Sequence, residues 1–201
     1  MSYVWTIAEQ YDGRLKDVSF ELLARGRPLA DAMDTKLASL VIGAGVDDGQ
    51  LQELVERGAD EVYTVADERL AEFVCESYSG ILVGLIRTYA PSVVLAAATT
   101  TGRTLMPYVA VRVDAGLTAD CTELEIEPGT DNLLQTRPAI GGNIMATIRT
   151  PDHRPQMATV RPHSTRPLER DAGRAGKIID VPVGEGGDAS VAATSGGGPA
   201  E

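Results

Sequence analysis

The chain has 201 residues, of which 43% are apolar, and a formal net charge of −11 at pH 7. This length and composition predict one globular domain with a sizeable core, or one domain with an extension. The excess of acidic residues argues against non-specific nucleic-acid binding, and no apolar run approaches the roughly 18 residues of a membrane-spanning segment. The first residues lack the basic leader and apolar core of a signal peptide, so we expect a cytoplasmic protein.

The charge is unevenly distributed along the chain. Residues 1–135 contain 22 acidic and 10 basic residues, whereas residues 136–177 contain 3 acidic and 8 basic ones. Most of these cations are arginines, whose planar guanidinium suits bidentate contacts with carboxylates or phosphates. The chain as a whole has only three lysines. An acidic, lysine-poor composition is consistent with a high-salt (halophilic) cytoplasm, and equally with a GC-rich coding bias.

Strands and helices alternate through residue 112. The predicted elements are a strand over 3–8, a helix over 18–30, a strand over 37–42, a helix over 50–57, a strand over 61–65, a helix over 70–89 and a strand over 93–98. Ser19 is a candidate N-cap of the first helix, Asp47 or Asp48 caps the second, and Gly58 ends it. This alternation predicts an α/β fold in three layers, with a parallel sheet covered by helices on both faces.

The pattern changes after residue 115. Short strands are predicted over 117–126, 133–136, 144–149 and 157–161, and residues 180–183 are consistent with one more. We expect short antiparallel pairs at the edge of the sheet. Residues 1–183 then form the domain, and residues 184–201 form a flexible Gly/Ala/Ser-rich tail or interdomain linker.

The stretch from Pro91 to Arg112 combines a buried strand, a polar turn and the start of a helix. Gly102 and Arg103 lie in the turn, where backbone N–H groups and the helix dipole favour an anion. Pro107 is expected within the first turn of the helix, where a proline is tolerated. The alternative is a plain strand-to-helix crossover in which Gly102 only makes the turn.

No complete active site is evident in the sequence. His153 and His163 lack further ligands at a spacing that suits a metal, and Cys75 and Cys121 are expected to be free thiols. No serine lies in a nucleophile elbow. The Gly43-Ala44-Gly45 run lacks the third glycine of the dinucleotide fingerprint.

An ordered series of short motifs resembles the N-terminal domain of the electron transfer flavoprotein alpha subunit. The motifs are Ala8-Glu9 with Asp12-Gly13, Gly58-Ala59-Asp60-Glu61-Val62, Thr101-Gly102-Arg103 with Pro107 and Ala110, Gly116-Leu117-Thr118-Ala119-Asp120-Cys121-Thr122-Glu123, Arg137-Pro138-Ala139, Gly141-Gly142-Asn143 and Ala158-Thr159-Val160-Arg161-Pro162. The resemblance extends from about residue 3 to about residue 183. It implies a nucleotide-binding α/β fold of the adenine nucleotide alpha hydrolase type.

The resemblance also implies a function. Members of this family are heterodimers of an alpha and a beta subunit that carry electrons from flavin dehydrogenases, as in fatty acid β-oxidation, to a quinone oxidoreductase or another acceptor. The FAD of such an assembly is bound mainly by a second, C-terminal alpha domain, and the partner subunit holds AMP or FAD. The run Thr194-Ser195-Gly196-Gly197-Gly198 lacks the arginine of the family's flavin-domain turn. The chain is therefore either a fragment that ends before the flavin domain or a variant that obtains that domain from another chain.

Two functional classes follow. In the first, the domain is a scaffold without its own turnover, and Arg137, Gly142, Asn143 and Arg161 contact the beta subunit. The alternatives are a solvated arginine surface and a plain hairpin turn at 141–143. In the second class, the chain is a free-standing adenine-nucleotide-binding module that uses Ala8-Glu9 and the Thr99–Arg103 turn.

Overall fold

The structure is a computed structural model that describes residues 3–139 and 144–183. The described residues form twelve strands and four α-helices. The helices are α1 (Asp17–Ala32), α2 (Asp48–Glu56), α3 (Cys75–Tyr89) and α4 (Thr100–Arg112). The strands are β1 (Tyr3–Ala8), β2 (Gln10–Tyr11), β3 (Arg14–Leu15), β4 (Lys36–Gly43), β5 (Glu61–Ala66), β6 (Val93–Ala97), β7 (Leu117–Cys121), β8 (Glu123–Ile126), β9 (Leu133–Pro138), β10 (Met145–Ile148), β11 (Gln156–Val160) and β12 (Lys177–Asp180).

Seven strands form one parallel sheet in the order β12-β5-β4-β1-β6-β11-β7. Successive side chains of a strand point to opposite faces, and both faces of the central strands are apolar. Trp5 and Ile7 pack on one face against α3 and α4, whereas Val4 and Ala8 pack on the other against α1 and α2. The three-layer α/β fold predicted from the sequence is confirmed.

Three more strands form a separate antiparallel sheet in the order β10-β9-β8, which we call the outer sheet. Leu133 of β9 is fully buried, and Leu124 and Ile126 of β8 pack against the α1 side of the core. The prediction of short antiparallel strands toward the C-terminus is confirmed for these three.

The prediction of antiparallel pairing is wrong for residues 157–161. Strand β11 lies inside the main sheet, parallel to both β6 and β7, and all five of its residues are buried. Two polar residues obscure its apolar character in the sequence. Gln156 accepts a hydrogen bond from the Leu133 N–H at 2.7 Å, and Thr159 accepts one from the Asp120 N–H at 2.9 Å.

The strand predicted over 117–126 is divided between the two sheets. The register of β7 on β11 shifts between Ala158 and Val160, and Asp120 has a positive φ of 61°. This bend sends β7 into the parallel sheet and β8 into the outer sheet. This one-residue irregularity in the pairing of β7 with β11 therefore marks the point at which the outer sheet begins.

Three helix predictions need correction. Helix α1 begins before Ser19, which does not cap it but exchanges hydrogen bonds with the Glu9 backbone at 2.9 and 3.1 Å. Helix α3 begins at Cys75 rather than residue 70, because Glu68–Leu70 forms a separate 3₁₀ turn. Pro107 lies inside α4, not in its first turn.

The predicted ends of α2 are confirmed. Asp47 caps α2 by accepting a hydrogen bond from the Gln50 N–H at 3.0 Å, and Gly58 follows that helix with a φ of 115°. The last strand, β12, lies three residues before the predicted position at 180–183. Cys75 and Cys121 are free thiols. The predicted tail at 184–201 lies outside the described residues.

Candidate functional site

The centre of the carboxyl edge of the sheet is filled by the protein's own side chains. The chain runs from β1 outward through β4 and β5 and then returns to β6 on the other side of β1, which makes this the topological switch point. Glu9 follows β1 and is buried there. Its carboxylate accepts hydrogen bonds from the Thr99 hydroxyl at the end of β6 and from Lys16 Nζ, the latter at 3.2 Å.

Gly102 is required by close packing between α4 and β6. A Cβ atom at this position would lie 1.9 Å from the Ala97 carbonyl oxygen. The Gly102 N–H donates to Thr99 Oγ1 at 3.1 Å, so the N-cap of α4 already uses it. The turn predicted from the sequence is present. Within it, Gly102 allows α4 to pack closely on β6.

The enclosed cavity beside this turn is too small for a nucleotide, whereas a wider open cleft, lined in part by Thr101, lies next to it. The cavity between Ile7, Glu9 and Leu105 has a volume of about 30 Å³, which is enough for ordered water, whereas ligand pockets usually measure about 300–1,000 Å³. A phosphate placed here would also face the Glu9 carboxylate. This enclosed cavity therefore does not hold the nucleotide that the second functional class requires.

Three arginines surround Asp120 at the same edge of the sheet. Arg161 binds its carboxylate through two hydrogen bonds, of 3.3 Å from Nε and 2.7 Å from Nη2. Arg103 Nη2 lies 3.5 Å from Asp120 Oδ1. The hydrogen bond from Arg161 is the main reason why the pKa of Asp120 lies below its ordinary value, and the charges of Arg103 and Arg137 act in the same direction.

The sequence singled out Arg103, Arg137 and Arg161 without indicating that they meet. They come from α4, β9 and the residue after β11. Burial raises the pKa of the neighbouring Cys121 thiol to about 11, although Arg137 acts in the opposite direction. Three cations around one carboxylate leave a local positive charge on an otherwise acidic protein. Gly142 and Asn143, the other predicted interface residues, lie outside the described residues.

Two arginines of the basic segment offset carboxylates of the main body. Arg149 Nη1 lies 2.7 Å from Glu127, and Arg170 Nη2 lies 2.6 Å from Glu56. This agrees with the expectation of a surface that balances nearby acidic residues. Arg154 instead donates to the backbone carbonyls of residues 150, 151, 153 and 131.

The outer sheet exposes an apolar edge that the sequence analysis did not single out. Strand β10 pairs with β9 on one side only, and no strand of the described residues covers its other side. Ile144 is 64% exposed and Met145 is 49% exposed. Met145 also lines an open cavity of about 350 Å³ on the outer face of this sheet, together with Leu134 and with polar residues that include Glu123 and Glu125.

This edge could have been recognised in the sequence. Apolar residues at 144, 145 and 148 lie on a predicted strand that follows two glycines and an asparagine, whereas the neighbouring strands carry acidic residues such as Glu123 and Glu125. An unpaired strand with exposed apolar side chains can pair with another chain. Soluble proteins usually protect such edges with charges, and β10 itself carries none.

Two other kinds of site were searched for among the described residues. No group of three His, Cys, Asp or Glu side chains there is arranged to hold a metal ion. None of the four α-helices in that part of the chain combines the length and apolar character needed to cross a bilayer.

Comparison with known proteins gives a consistent result. Residues 4–185 match the electron transfer flavoprotein domain family. The chain is 46% identical over 159 residues to Protein FixB of Clostridium saccharobutylicum, covering 79% of this chain and 47% of that protein. It is 42% identical over 177 residues to the electron transfer flavoprotein subunit alpha of Megasphaera elsdenii, covering 88% of this chain and 52% of that protein.

A third relative is named for a different assembly. The chain is 42% identical over 153 residues to the lactate dehydrogenase (NAD(+),ferredoxin) subunit LctC of Acetobacterium woodii, covering 76% of this chain and 36% of that protein. The chain spans about half the length of the first two relatives and about a third of the last.

Proposed function

The chain belongs to the electron transfer flavoprotein family, and from this premise we propose that it is the N-terminal domain of an alpha subunit. Its role is to act as a scaffold and to bind a beta subunit in an assembly that carries electrons from flavin dehydrogenases to a quinone oxidoreductase or another acceptor. On this proposal the domain is part of a carrier and catalyses no reaction of its own. One relative is named Protein FixB and another is named as a lactate dehydrogenase subunit, so the proposal is not restricted to fatty acid β-oxidation.

The proposed interface rests on one observation, which is the uncovered edge of β10. A partner strand can pair with its backbone, and apolar partner side chains can cover Ile144, Met145 and Ile148. Burying side chains of this kind contributes about 1.5–3 kcal/mol each when it is complete. An edge of this composition is therefore suited to a stable partner rather than to water.

Of the predicted interface residues, Arg137 lies next to this edge. Arg137 lies opposite Ala146 in the pairing of β9 with β10, and Gly142 and Asn143 connect these two strands in the sequence. Arg161 follows β11 of the main sheet and binds the Asp120 carboxylate. We propose that Arg137 and Arg103 offer their remaining guanidinium donors to carboxylates of the beta subunit.

The flavin of the family does not fit the described residues of this chain. The switch-point cavity is too small, and it contains the Glu9 carboxylate. The larger cleft at the same edge is lined by Asp12, Glu68 and Glu72, which repel phosphate groups. We therefore propose that the FAD of the assembly is held outside these residues, and that any AMP or second FAD is held by the partner subunit.

Exchange of exposed apolar residues tests this proposal. The double variant Ile144→Ser/Met145→Ser should weaken binding to the beta subunit about tenfold to a hundredfold, measured by calorimetry, because it removes apolar contact area. Val111→Ser is the matched control, since Val111 is 83% exposed but lies on α4. Equal affinities of the double variant and the unaltered chain would contradict the proposed interface.

A further inference from the structure

A wide cleft with two partly exposed aromatic walls lies at the carboxyl edge of the sheet. It has a volume of about 860 Å³ and runs between the β2–β3 hairpin and the segment that follows the 3₁₀ turn. Tyr11, at the hairpin, is 76% exposed, and Phe73, on the opposite wall, is also solvent-accessible. None of the residues that the proposed beta-subunit interface uses lines this cleft.

The hairpin that carries Tyr11 is held rigidly. Gln50 at the start of α2 donates to the Gly13 carbonyl oxygen at 2.8 Å and accepts from the Leu15 N–H at 2.7 Å. Gly13 has a φ of 70°, and a Cβ there would lie 2.6 Å from the Gly45 carbonyl oxygen. The hairpin is therefore packed directly on the loop after β4, and Tyr11 is exposed without being loosely held.

One side chain connects the two walls of the cleft. The Gln10 amide oxygen accepts from the Gly13 N–H at 3.1 Å, and its amide nitrogen donates to the Ala71 carbonyl oxygen at 3.2 Å. Phe73 is supported from behind by an edge-to-face contact with Tyr78, with ring centroids 5.1 Å apart. The backbone of both walls and the Phe73 ring are thus held in place before any partner arrives, which lowers the entropy cost of binding.

The charges that line the cleft decide what it can hold. Asp12, Glu68 and Glu72 contribute three carboxylates, and none of them forms an ion pair within residues 3–139 and 144–183. The one cation in the lining, Lys16, is engaged by Glu9 at 3.2 Å. A cleft with unpaired carboxylates and aromatic faces attracts a cation, because guanidinium groups pair with carboxylates and stack on aromatic rings.

We propose that this cleft is a second docking surface, which binds an arginine-bearing segment of a partner polypeptide. Tyr11 and Phe73 stack against the guanidinium or its stem, and Glu68 and Glu72 bind its N–H groups. The surface is independent of the β10 edge, so a partner bound at one leaves the other accessible. A nucleotide would place its phosphates against the same carboxylates and is disfavoured.

A labelled peptide tests the charge part of this proposal on the isolated chain. The probe is a fluorescein-labelled peptide with two arginines separated by glycines, and its binding is followed by fluorescence anisotropy at low ionic strength. Glu68→Gln/Glu72→Gln should weaken binding about tenfold. The matched control, Glu123→Gln/Glu125→Gln on the outer sheet, removes the same charge and should change affinity less than about twofold.

The aromatic part is tested in the same assay. Tyr11→Ala should weaken peptide binding about threefold to tenfold, whereas Tyr108→Ala, which removes a tyrosine that is 53% exposed on α4, should leave it unchanged. The proposal is overturned if the peptide does not bind. It is overturned as well if the two glutamate double variants weaken binding equally, or if the two tyrosine variants do. It is also overturned if AMP binds the unaltered chain more tightly than the peptide. Because no beta subunit is present, none of these results depends on the interface at β10.

Discussion

The main sheet and the outer sheet differ in how completely the chain covers them. In the main sheet, β6 and β11 are buried along their whole length, with helices on both faces and neighbouring strands on both sides. In the outer sheet, β8 and β9 place their inner side chains on the core, but β10 exposes apolar residues along an unpaired edge. The centre of the first sheet has the features of a finished scaffold, although its edge strand β12 exposes Ile178. The outer sheet leaves larger apolar exposure at β10, where we propose that a partner binds.

The largest loss of stability is expected from a substitution in the tightly packed main sheet, at the contact between α4 and β6. Gly102→Ala should destabilise the fold by about 3 kcal/mol or more, because its Cβ would overlap the Ala97 carbonyl oxygen at 1.9 Å and move α4 away from β6. Urea unfolding followed by circular dichroism measures this loss.

Gly49→Ala is the control for that substitution. Gly49 lies in the first turn of α2, where the nearest atom to a new Cβ is a side-chain oxygen of Asp47 at 3.1 Å. Asp47 Oδ1 also caps α2, but a contact of 3.1 Å requires it to shift by only a few tenths of an ångström. Alanine favours the helix, so the net effect should stay within about 1 kcal/mol. Similar losses for the two variants would contradict the packing role of Gly102.

Two fully buried glutamines, Gln156 in the main sheet and Gln135 in the outer sheet, should differ in how their substitution changes the free energy of unfolding. Gln156 joins the main sheet to the start of β9 by accepting from the Leu133 N–H at 2.7 Å and donating to the Asp131 carbonyl oxygen at 2.8 Å. Gln156→Leu leaves both backbone groups without this partner. We expect a loss of about 2–3 kcal/mol in the free energy of unfolding.

Gln135 on β9 should respond in the opposite direction. It is equally buried, but neither polar atom of its amide has a hydrogen-bond partner among residues 3–139 and 144–183. Gln135→Leu should therefore raise the free energy of unfolding by about 1 kcal/mol, measured in the same urea titration. A loss comparable to that of Gln156→Leu would mean that Gln135 is hydrogen-bonded in solution.

The smallest loss of stability is expected from a substitution among the three arginines near Asp120, and this loss depends on pH. Arg161 lowers the pKa of Asp120 in the folded protein, so the pair stabilises the fold above the unfolded pKa of about 3.9 and loses this contribution as the pH falls through the folded pKa. Arg161→Ala should lower the free energy of unfolding only slightly at neutral pH, since the pair is partly exposed to solvent.

A titration of stability checks the sign of this effect. The difference between Arg161→Ala and the unaltered chain should shrink steadily below about pH 4. Arg149→Ala removes an arginine that pairs with Glu127 at a more exposed place and should have a smaller effect at neutral pH. A difference that stays constant into acid would contradict the assigned role of Asp120.

Much of the scaffold could be predicted from the sequence, because buried parallel strands leave continuous apolar runs. Strands β1, β4, β5 and β6 were predicted to within about one or two residues, and the Asp47 cap and Gly58 follow general rules of helix ends. Strand β11 was misassigned because Gln156 and Thr159 use their side chains on distant backbone groups. Such long-range hydrogen bonds leave no local pattern.

The candidate site was predictable in its parts but not in its arrangement. The sequence indicates Gly102, Arg103, Arg137 and Arg161 one by one. The convergence of the three arginines on Asp120 depends on a register shift in β7 that no periodicity encodes. The hydrogen bond between Glu9 and Thr99, which fills the switch point, likewise joins residues ninety positions apart. The positions of Gly142 and Asn143 remain a prediction.

Amide hydrogen exchange of β10 tests the central claim most directly. The account predicts that adding the beta subunit slows exchange of residues 145–148 by at least about tenfold, since the free edge of that strand becomes paired or covered. Unchanged exchange in β10, together with slowed exchange in α4 or elsewhere on the main body, would contradict it.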